Sequence, residues 1–156
     1  MSPTARAWSL AGALGLFVLA ADQAAKAAIE ANLAIGEDVD ALGPLGLTLS
    51  HNRGVAFGLA GGAGAPLILV TLVALGAVGY LFARSPTRPG MWVAAGLLAG
   101  GAIGNLVDRV RAGAVTDFVD LSPWPPFNLA DMAVVAGVLL LVFIYLRDAE
   151  REPSDG

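Results

Sequence analysis

Residues 132–146 read MAVVAGVLLLVFIYL, an uninterrupted apolar run between Asp131 and Arg147. A helix that is apolar on every side must be surrounded by other apolar material, either a large protein core or a bilayer. At about 1.5 Å per residue, the run crosses most of a hydrocarbon layer that is ~30 Å thick. It therefore predicts a membrane-spanning helix whose ends are completed by residues in the headgroup region.

Three other stretches have the same character, so that four spans are predicted, over residues 7–25, 65–83, 91–110 and 132–146. The composition agrees, because 56% of the 156 residues are hydrophobic and only 14% are charged. Soluble domains carry about 25% charged residues, and one of this length could not bury so much apolar surface. We therefore expect an all-α membrane protein with four transmembrane helices in a single domain, residues 1–156.

The third predicted span carries a regular series of glycines. Gly96, Gly100 and Gly104 recur at every fourth residue and therefore share one face of a helix. Such a face lets a neighbouring helix approach closely. The series predicts helix packing and no chemistry.

Composition also excludes several kinds of function. The chain has no cysteine and a single histidine, His51, so cysteine nucleophiles, disulfides and histidine-rich metal sites are not available. We expect no metal and no cofactor. The net charge is −4 and the cations are scattered, which makes nucleic acid an unexpected partner.

Two segments between the spans, residues 28–64 and 111–130, are predicted to lie on one side of the membrane. Residues 45–51 alternate apolar and polar side chains, which predicts short β-strands between the first and second helices. In the second segment, three prolines flank Trp124 and exclude regular helix. Tryptophan at such a place is typical of a membrane–water interface.

The distribution of cations favours termini in the cytoplasm. An even number of spans places both termini on one side, together with Arg6, Arg84, Arg88, Arg147 and Arg151, whereas the other side has Lys26, Arg53, Arg109 and Arg111. Positive residues are enriched in cytoplasmic loops, and this small excess predicts the orientation of a multi-pass protein.

The first span allows an alternative interpretation as a cleavable secretory signal. Arg6, the apolar run and the small residues 19–21 have that form. An ordinary first span is favoured, because Asp22 directly after the run belongs to the polar pattern described next.

Polar side chains gather at the non-cytoplasmic end of the predicted helices. Helix ends and adjoining loops at this level contain Asp22, Lys26, Asn52, Arg53, Asn105, Asp108, Arg109, Asp117, Asn128 and Asp131. Ionisable groups are costly near hydrocarbon, so their concentration at one depth indicates a functional site at the membrane surface. Two close carboxylates can share a proton and thus provide an acid and a base for hydrolysis. A Ser–Lys pair would need Ser50 or Ser122 beside Lys26.

Purely structural roles remain open for the same residues. Asp131 precedes a helix and suits its N-terminus, and Asp22 and Lys26 are spaced for a helical ion pair. Asp108 could anchor the end of a span. The residues alone do not choose between these roles and a catalytic pair, nor do they say which aspartates would pair.

The polar residues fall into five short motifs, DQAAK (residues 22–26), NRGVAFG (52–58), GNLVDR (104–109), VTDF (115–118) and FNLAD (127–131). In this order the chain resembles the signal peptidase II family, the bacterial prolipoprotein signal peptidases, along nearly its whole length. Arg53 departs from the small polar residue that is common there, a change expected to affect surface contacts and not chemistry.

The resemblance implies an aspartic endopeptidase of the bacterial cytoplasmic membrane, with its site near the outer face. Its substrates would be prolipoproteins cut just before a cysteine that carries diacylglycerol, with water as nucleophile and Asp117 and Asp131 as the catalytic pair. Asp108 is the rival for the first position. Asp117 is preferred because it has no basic neighbour in sequence, whereas Asp108 precedes Arg109.

Supporting roles in the fold and in substrate binding are implied for Asp22, Lys26, Asn52, Gly54, Asn105, Asp108, Arg109 and Asn128. Among these, the two asparagines Asn105 and Asn128 can hydrogen-bond the pair or the substrate, since an amide both donates and accepts. Membrane lipid is expected around the protein, which we expect to act as a monomer.

Overall fold

A computed structural model describes residues 1–54 and 64–149, which form four long helices and four short strands. In chain order these are α1 (Pro3–Asn32), β1 (Asp38–Leu42), β2 (Leu45–Asn52), α2 (Gly64–Arg84), α3 (Met91–Ala112), β3 (Val115–Leu121), β4 (Trp124–Phe127) and α4 (Leu129–Ala149). All four helices are long and apolar enough to cross a membrane. Each of the four predicted spans lies inside one helix.

Helix α1 continues seven residues beyond the predicted span that ends at residue 25. The Ser2 side chain accepts a hydrogen bond from the Ala5 amide at its start, and Pro3 is placed where a missing N–H costs nothing. Its extension, KAAIEAN, consists mainly of residues with high helix propensity. The extension therefore carries Lys26 and Glu30 on the same helix as the span.

Helix α3 is the centre of the bundle and packs closely against α1 and α4. A Cβ added at Gly100 would lie 2.6 Å from the Gly15 carbonyl oxygen, and one added at Gly96 would lie 2.9 Å from that of Ala11. On the other side of α3, Gly101 lies against the backbone of Ala130. Helix α1 thus packs against the predicted glycine face, and α4 packs equally closely against Gly101.

Helix α2 is attached mainly through its C-terminal half. The Phe82 ring packs edge-on against Trp8 with 4.6 Å between ring centroids, next to buried Met91 of α3. Farther from this contact, Leu69, Val70 and Val73 are more than 60% exposed. In a bilayer these side chains contact lipid.

The strands form one antiparallel sheet in the order β1-β2-β3-β4. Strands were predicted between α1 and α2, whereas β3 and β4 in the proline-containing segment were not. Pro125 and Pro126 lie on an edge strand, at the register shift between β3 and β4, and prolines are tolerated at such irregular edge positions. The pairing of β2 with β3 sets Ser50 opposite Asp117 and thereby joins the two segments over the ends of the helices.

Candidate active site

Asp117 lies on β3 and is 3% exposed. The Asn52 side-chain amide, at the end of β2, donates to its Oδ2 at 3.0 Å. The Asn128 amide, directly before α4, donates to its Oδ1 at 2.7 Å. Both oxygens of Asp117 therefore face neutral N–H donors.

Asp131 lies in the first turn of α4 and exchanges hydrogen bonds with Asn128 in the form of a capping box. The Asp131 backbone N–H donates to the Asn128 side-chain Oδ1 at 2.9 Å, and the Asn128 backbone N–H donates to Asp131 Oδ2 at 3.2 Å. A second donor to the Asp131 carboxylate, Asn105 Nδ2, lies 2.8 Å from Oδ1. The helix-start role considered from sequence is thus present, with Asn128 as the N-cap and Asp131 three residues later.

Asp108 belongs to a separate, buried group of charges. Lys26 Nζ lies 2.6 Å from Asp108 Oδ2 and 2.7 Å from Asp22 Oδ2. Gln23 Nε2 donates to the other oxygen of Asp108 at 2.8 Å, and Asp22 accepts from the Ala130 amide at 2.9 Å. Asp22 and Lys26 form the helical ion pair that their spacing suggests. Lys26 also ties α1 to α3 through Asp108, and Asp22 ties α1 to α4 through the Ala130 amide.

Burial raises the pKa of Asp117 above its ordinary value. The hydrogen bond from Asn52 opposes this rise, the negative charge of nearby Asp131 adds to it, and Asn128 and Lys26 lower the pKa again. The net effect on the pKa is upward, so Asp117 keeps its proton to a higher pH than an ordinary aspartate does. Asp117 is therefore suited to hold a proton beside a second carboxylate.

Two of the predicted supporting residues lie at the margin of this arrangement. Arg109 is partly buried, and its Nη1 donates to the Asn105 carbonyl oxygen at 3.3 Å. Gly54 has φ +73°, a left-handed conformation that favours glycine, and its amide donates to Asn52 Oδ1 at 2.8 Å. This turn leaves the Asn52 NH₂ group facing Asp117. Residues 55–58 of the NRGVAFG motif lie outside the described residues.

Three polar residues that connect the site to its supports were not predicted from sequence. Gln23 was passed over inside the DQAAK motif, although its amide holds Asp108. Thr116 Oγ1 donates to Glu30 Oε1 at 2.6 Å, which ties β3 to the extension of α1. Glu30 lies four residues after Lys26, a spacing that places both on one helix face and could have identified it.

An apolar groove of about 470 Å³ begins at Asp131 and follows α4. Its walls are Trp124, Phe127, Met132, Val135, Ala136 and Leu139. Asp131 is partly exposed there, whereas Asp117 is enclosed behind it. The groove gives an apolar chain a path along the bundle to the carboxylates.

Among residues 1–54 and 64–149, no cluster of histidine and acidic side chains is arranged to hold a metal ion. The described residues thus define a class of protein, a helical membrane protein in which two aspartates, one on a small sheet and one at a helix start, are both hydrogen-bonded to Asn128. Two carboxylates placed in this way can share a proton.

A family model for signal peptidase (SPase) II matches residues 14–147. The chain is 43% identical to the lipoprotein signal peptidase of Moorella thermoacetica over 148 residues, covering 90% of this chain and 97% of that protein. It is 42% identical to that of Pelotomaculum thermopropionicum over 137 residues, with coverage of 86% and 90%. A solved bacterial membrane enzyme matches with a TM-score of 0.84 at 31% identity, covering 94% of this chain and 93% of that one.

The chain therefore belongs to the signal peptidase II family, as the five motifs predicted. With four apolar helices, it is a multi-pass protein of the bacterial inner membrane and a protease by family.

Proposed function

We propose that this protein is an aspartic endopeptidase that removes the signal peptide from diacylglyceryl-modified prolipoproteins, cutting just before the lipidated cysteine. The observation that carries the proposal is the junction at Asn128, whose side chain and amide contact both Asp117 and Asp131. Two aspartates joined in this way can act as one acid–base pair. Lipoprotein signal peptidases among the relatives supply the substrate class.

The two aspartates take different roles in the proposed reaction. Asp117 holds the proton, because burial raises its pKa. Asp131 is the proposed base, because it is the partly exposed member of the pair and lies at the groove from which substrate would approach. The ion pair of Asp108 with Lys26 supports Asp117 over Asp108 as the first member.

In the proposed mechanism, Asp131 takes a proton from water as the water oxygen attacks the carbonyl carbon before the lipidated cysteine. Asp117 donates its proton to the carbonyl oxygen, which gives a neutral tetrahedral diol. When the C–N bond breaks, Asp131 returns its proton to the leaving amine and Asp117 recovers the proton of the hydroxyl group. No covalent intermediate forms with the enzyme.

The groove beside Asp131 is the proposed place for the apolar parts of the substrate. Its walls would receive acyl chains or the signal helix, so that lipid anchoring brings the scissile bond to the carboxylates. Arg109, partly buried near the rim, is proposed as a polar contact for the substrate. Gly54 and Asn52 hold Asp117 from the sheet side.

We also propose cytoplasmic termini, an active site near the outer face and a monomeric enzyme. Lys26 is enclosed by Asp22 and Asp108, so it adds little to the exposed positive charge on the site's side. Since the chain has no cysteine, single-cysteine variants give a clean test. In spheroplasts an impermeant maleimide should label Asp38→Cys but not Thr4→Cys; the reverse pattern would contradict the orientation.

The catalytic pair is tested by cleavage of a diacylglyceryl prolipoprotein by purified enzyme. Asp117→Asn and Asp131→Asn should each lower turnover by about 10³-fold or more, since each removes one proton-transfer group. Asp120→Asn, on the same strand, is the matched control and should keep near-normal turnover. If Asp117→Asn or Asp131→Asn folds normally and remains active, the proposed pair is wrong.

A further inference from the structure

Lys26 makes contacts that an ion pair alone does not explain. Its ammonium contacts Asp22 at 2.7 Å, Asp108 at 2.6 Å and the side-chain oxygen of Asn105 at 3.1 Å. An ammonium has three N–H donors and no acceptor. All three donors are therefore used, and only the oxygen of the Asn105 amide can face Lys26.

This contact determines what Asn105 presents to Asp131. With its oxygen turned to Lys26, Asn105 directs its NH₂ group to Asp131 Oδ1 at 2.8 Å. A reversed amide would set N–H groups against the ammonium and an oxygen against the carboxylate, in a side chain that is only 8% exposed. Both contacts would be repulsive where little water can screen them.

The same oxygen also orients Asn128. Asn128 Nδ2 donates to Asn105 Oδ1 at 3.1 Å and to Asp117 Oδ1 at 2.7 Å, while its own oxygen accepts from the Asp131 amide. Asn105 and Asn128 thus have one consistent direction of donation that begins at Lys26. Each proposed catalytic aspartate receives an N–H from one of these two amides.

We infer that Lys26 is a positioning residue of the proposed reaction, because its ammonium fixes the orientation of Asn105 and, through it, that of Asn128. The inference rests on the proposed function, since it concerns the hydrogen bonds that hold Asp117 and Asp131. The inferred positioning role and a purely structural role for Lys26 differ in which neighbouring residue carries the effect of Lys26 on catalysis. A structural role acts through Asp22 and Asp108, whereas the positioning role acts through Asn105.

A double-mutant cycle between Lys26 and Asn105 separates these roles. Kcat and KM are measured on a diacylglyceryl prolipoprotein for Lys26→Met, Asn105→Ala and the double variant. Lys26→Met should lower kcat about 100-fold with KM within about threefold, since misplaced catalytic groups cost that order of rate. In the Asn105→Ala background the same change should lower kcat less than about threefold, because its target is gone.

Lys26→Arg gives a second readout, because a guanidinium also donates and never accepts. It should regain at least about tenfold of the kcat lost in Lys26→Met, as expected if donor character matters. An equal loss of kcat for Lys26→Met with and without Asn105, or an Arg variant no better than Met, would overturn the inference.

Removing Lys26 alone leaves both Asp22 and Asp108 without their cation, and since Asp22 is fully buried this variant could fail to fold. Asp22→Asn/Lys26→Met removes both charges and keeps an oxygen for the Ala130 amide. Compared with Asp22→Asn alone, it should show the same loss of kcat, and again only while Asn105 is present. If Asp117→Asn and Asp131→Asn are inactive but this coupling is absent, the inference fails and the proposed function stands. Activity in either of those aspartate variants would refute the proposed function instead.

Discussion

The carboxylate of Asp108 lies 2.6 Å from the ammonium of Lys26, whereas the carboxylate of Asp117 is contacted by the neutral amides of Asn52 and Asn128. The two aspartates that compete from sequence for the first catalytic position thus face opposite kinds of partner. A cation holds a carboxylate in its ionised form, and an amide permits either form. Sequence suggested that Asp108 would be ion-paired because Arg109 follows it, but the cation that pairs with it comes from α1.

Asp108→Asn should therefore affect stability more than chemistry. We expect turnover within about tenfold of the wild type, and an unfolding free energy lower by about 1–3 kcal/mol, because Lys26 keeps Asp22 as one buried partner. Cleavage of a lipidated prolipoprotein and thermal unfolding in detergent measure the two effects. Complete inactivity of a folded Asp108→Asn protein, with Asp117→Asn active, would move the first catalytic position to Asp108.

The pH dependence of stability should report the raised pKa of Asp117. Because the folded state binds this proton more tightly than the unfolded chain, protonated Asp117 stabilises the fold below the ordinary aspartate pKa of about 3.9. That stabilisation is lost as the pH rises through the raised pKa. Asn at position 117 does not titrate. The unfolding free energy of Asp117→Asn, relative to that of the wild type, should therefore increase as the pH rises.

Unfolding of both proteins in the same detergent, at several values from about pH 4 to 8, measures this slope. The altered hydrogen bonds of Asn52 and Asn128 add an offset that is independent of pH, but a difference that stays constant over the whole range would contradict a raised pKa. A wild type that gains on the variant with rising pH would show that the pKa is lowered.

Filling the groove beside Asp131 should weaken substrate binding. Val135 lines the groove and is 57% exposed, so Val135→Trp should raise KM for a lipidated prolipoprotein by about tenfold with kcat little changed. Val142 is 49% exposed, lies two helical turns farther along α4 and is not part of the groove wall, which makes Val142→Trp the matched control. Equal KM values for the two variants would refute this binding path.

The glycines of the bundle should differ sharply in their tolerance of alanine. A Cβ at Gly101 would collide with the Ala130 backbone, whereas one at Gly12 meets no atom within 4 Å. Gly101→Ala should destabilise the protein by about 1–3 kcal/mol, as overpacking does. Gly12→Ala should be neutral or slightly stabilising, because alanine favours helix. Thermal unfolding of the two variants side by side is decisive, and equal melting temperatures would contradict the packing described for α3.

The helices could be predicted from sequence because a long continuous apolar run in a bilayer must satisfy its own backbone hydrogen bonds, which a helix does. Strands β3 and β4 could not, since β3 pairs with β2, which is distant in the chain, and the prolines in and before β4 indicated irregular structure. The polar residues of the site were recognisable by type and by depth. Their hydrogen-bond and ion-pair partners could not be predicted, because the donor that faces each aspartate depends on which helices are neighbours. Lys26 of α1 and Asp108 of α3 are an example.

The sheet has a consequence for the order in which the enzyme becomes complete during synthesis. Asp117 needs Asn52 from β2 and Asn128 from the start of α4, and Asp22 of α1 accepts its hydrogen bond from Ala130. A nascent chain that has inserted only three helices therefore lacks Asp131 as well as Asn128, which contacts both aspartates. If Asp117 and Asp131 act as proposed, a partly synthesised chain that lacks the last helix should be inactive towards the substrates that share its membrane.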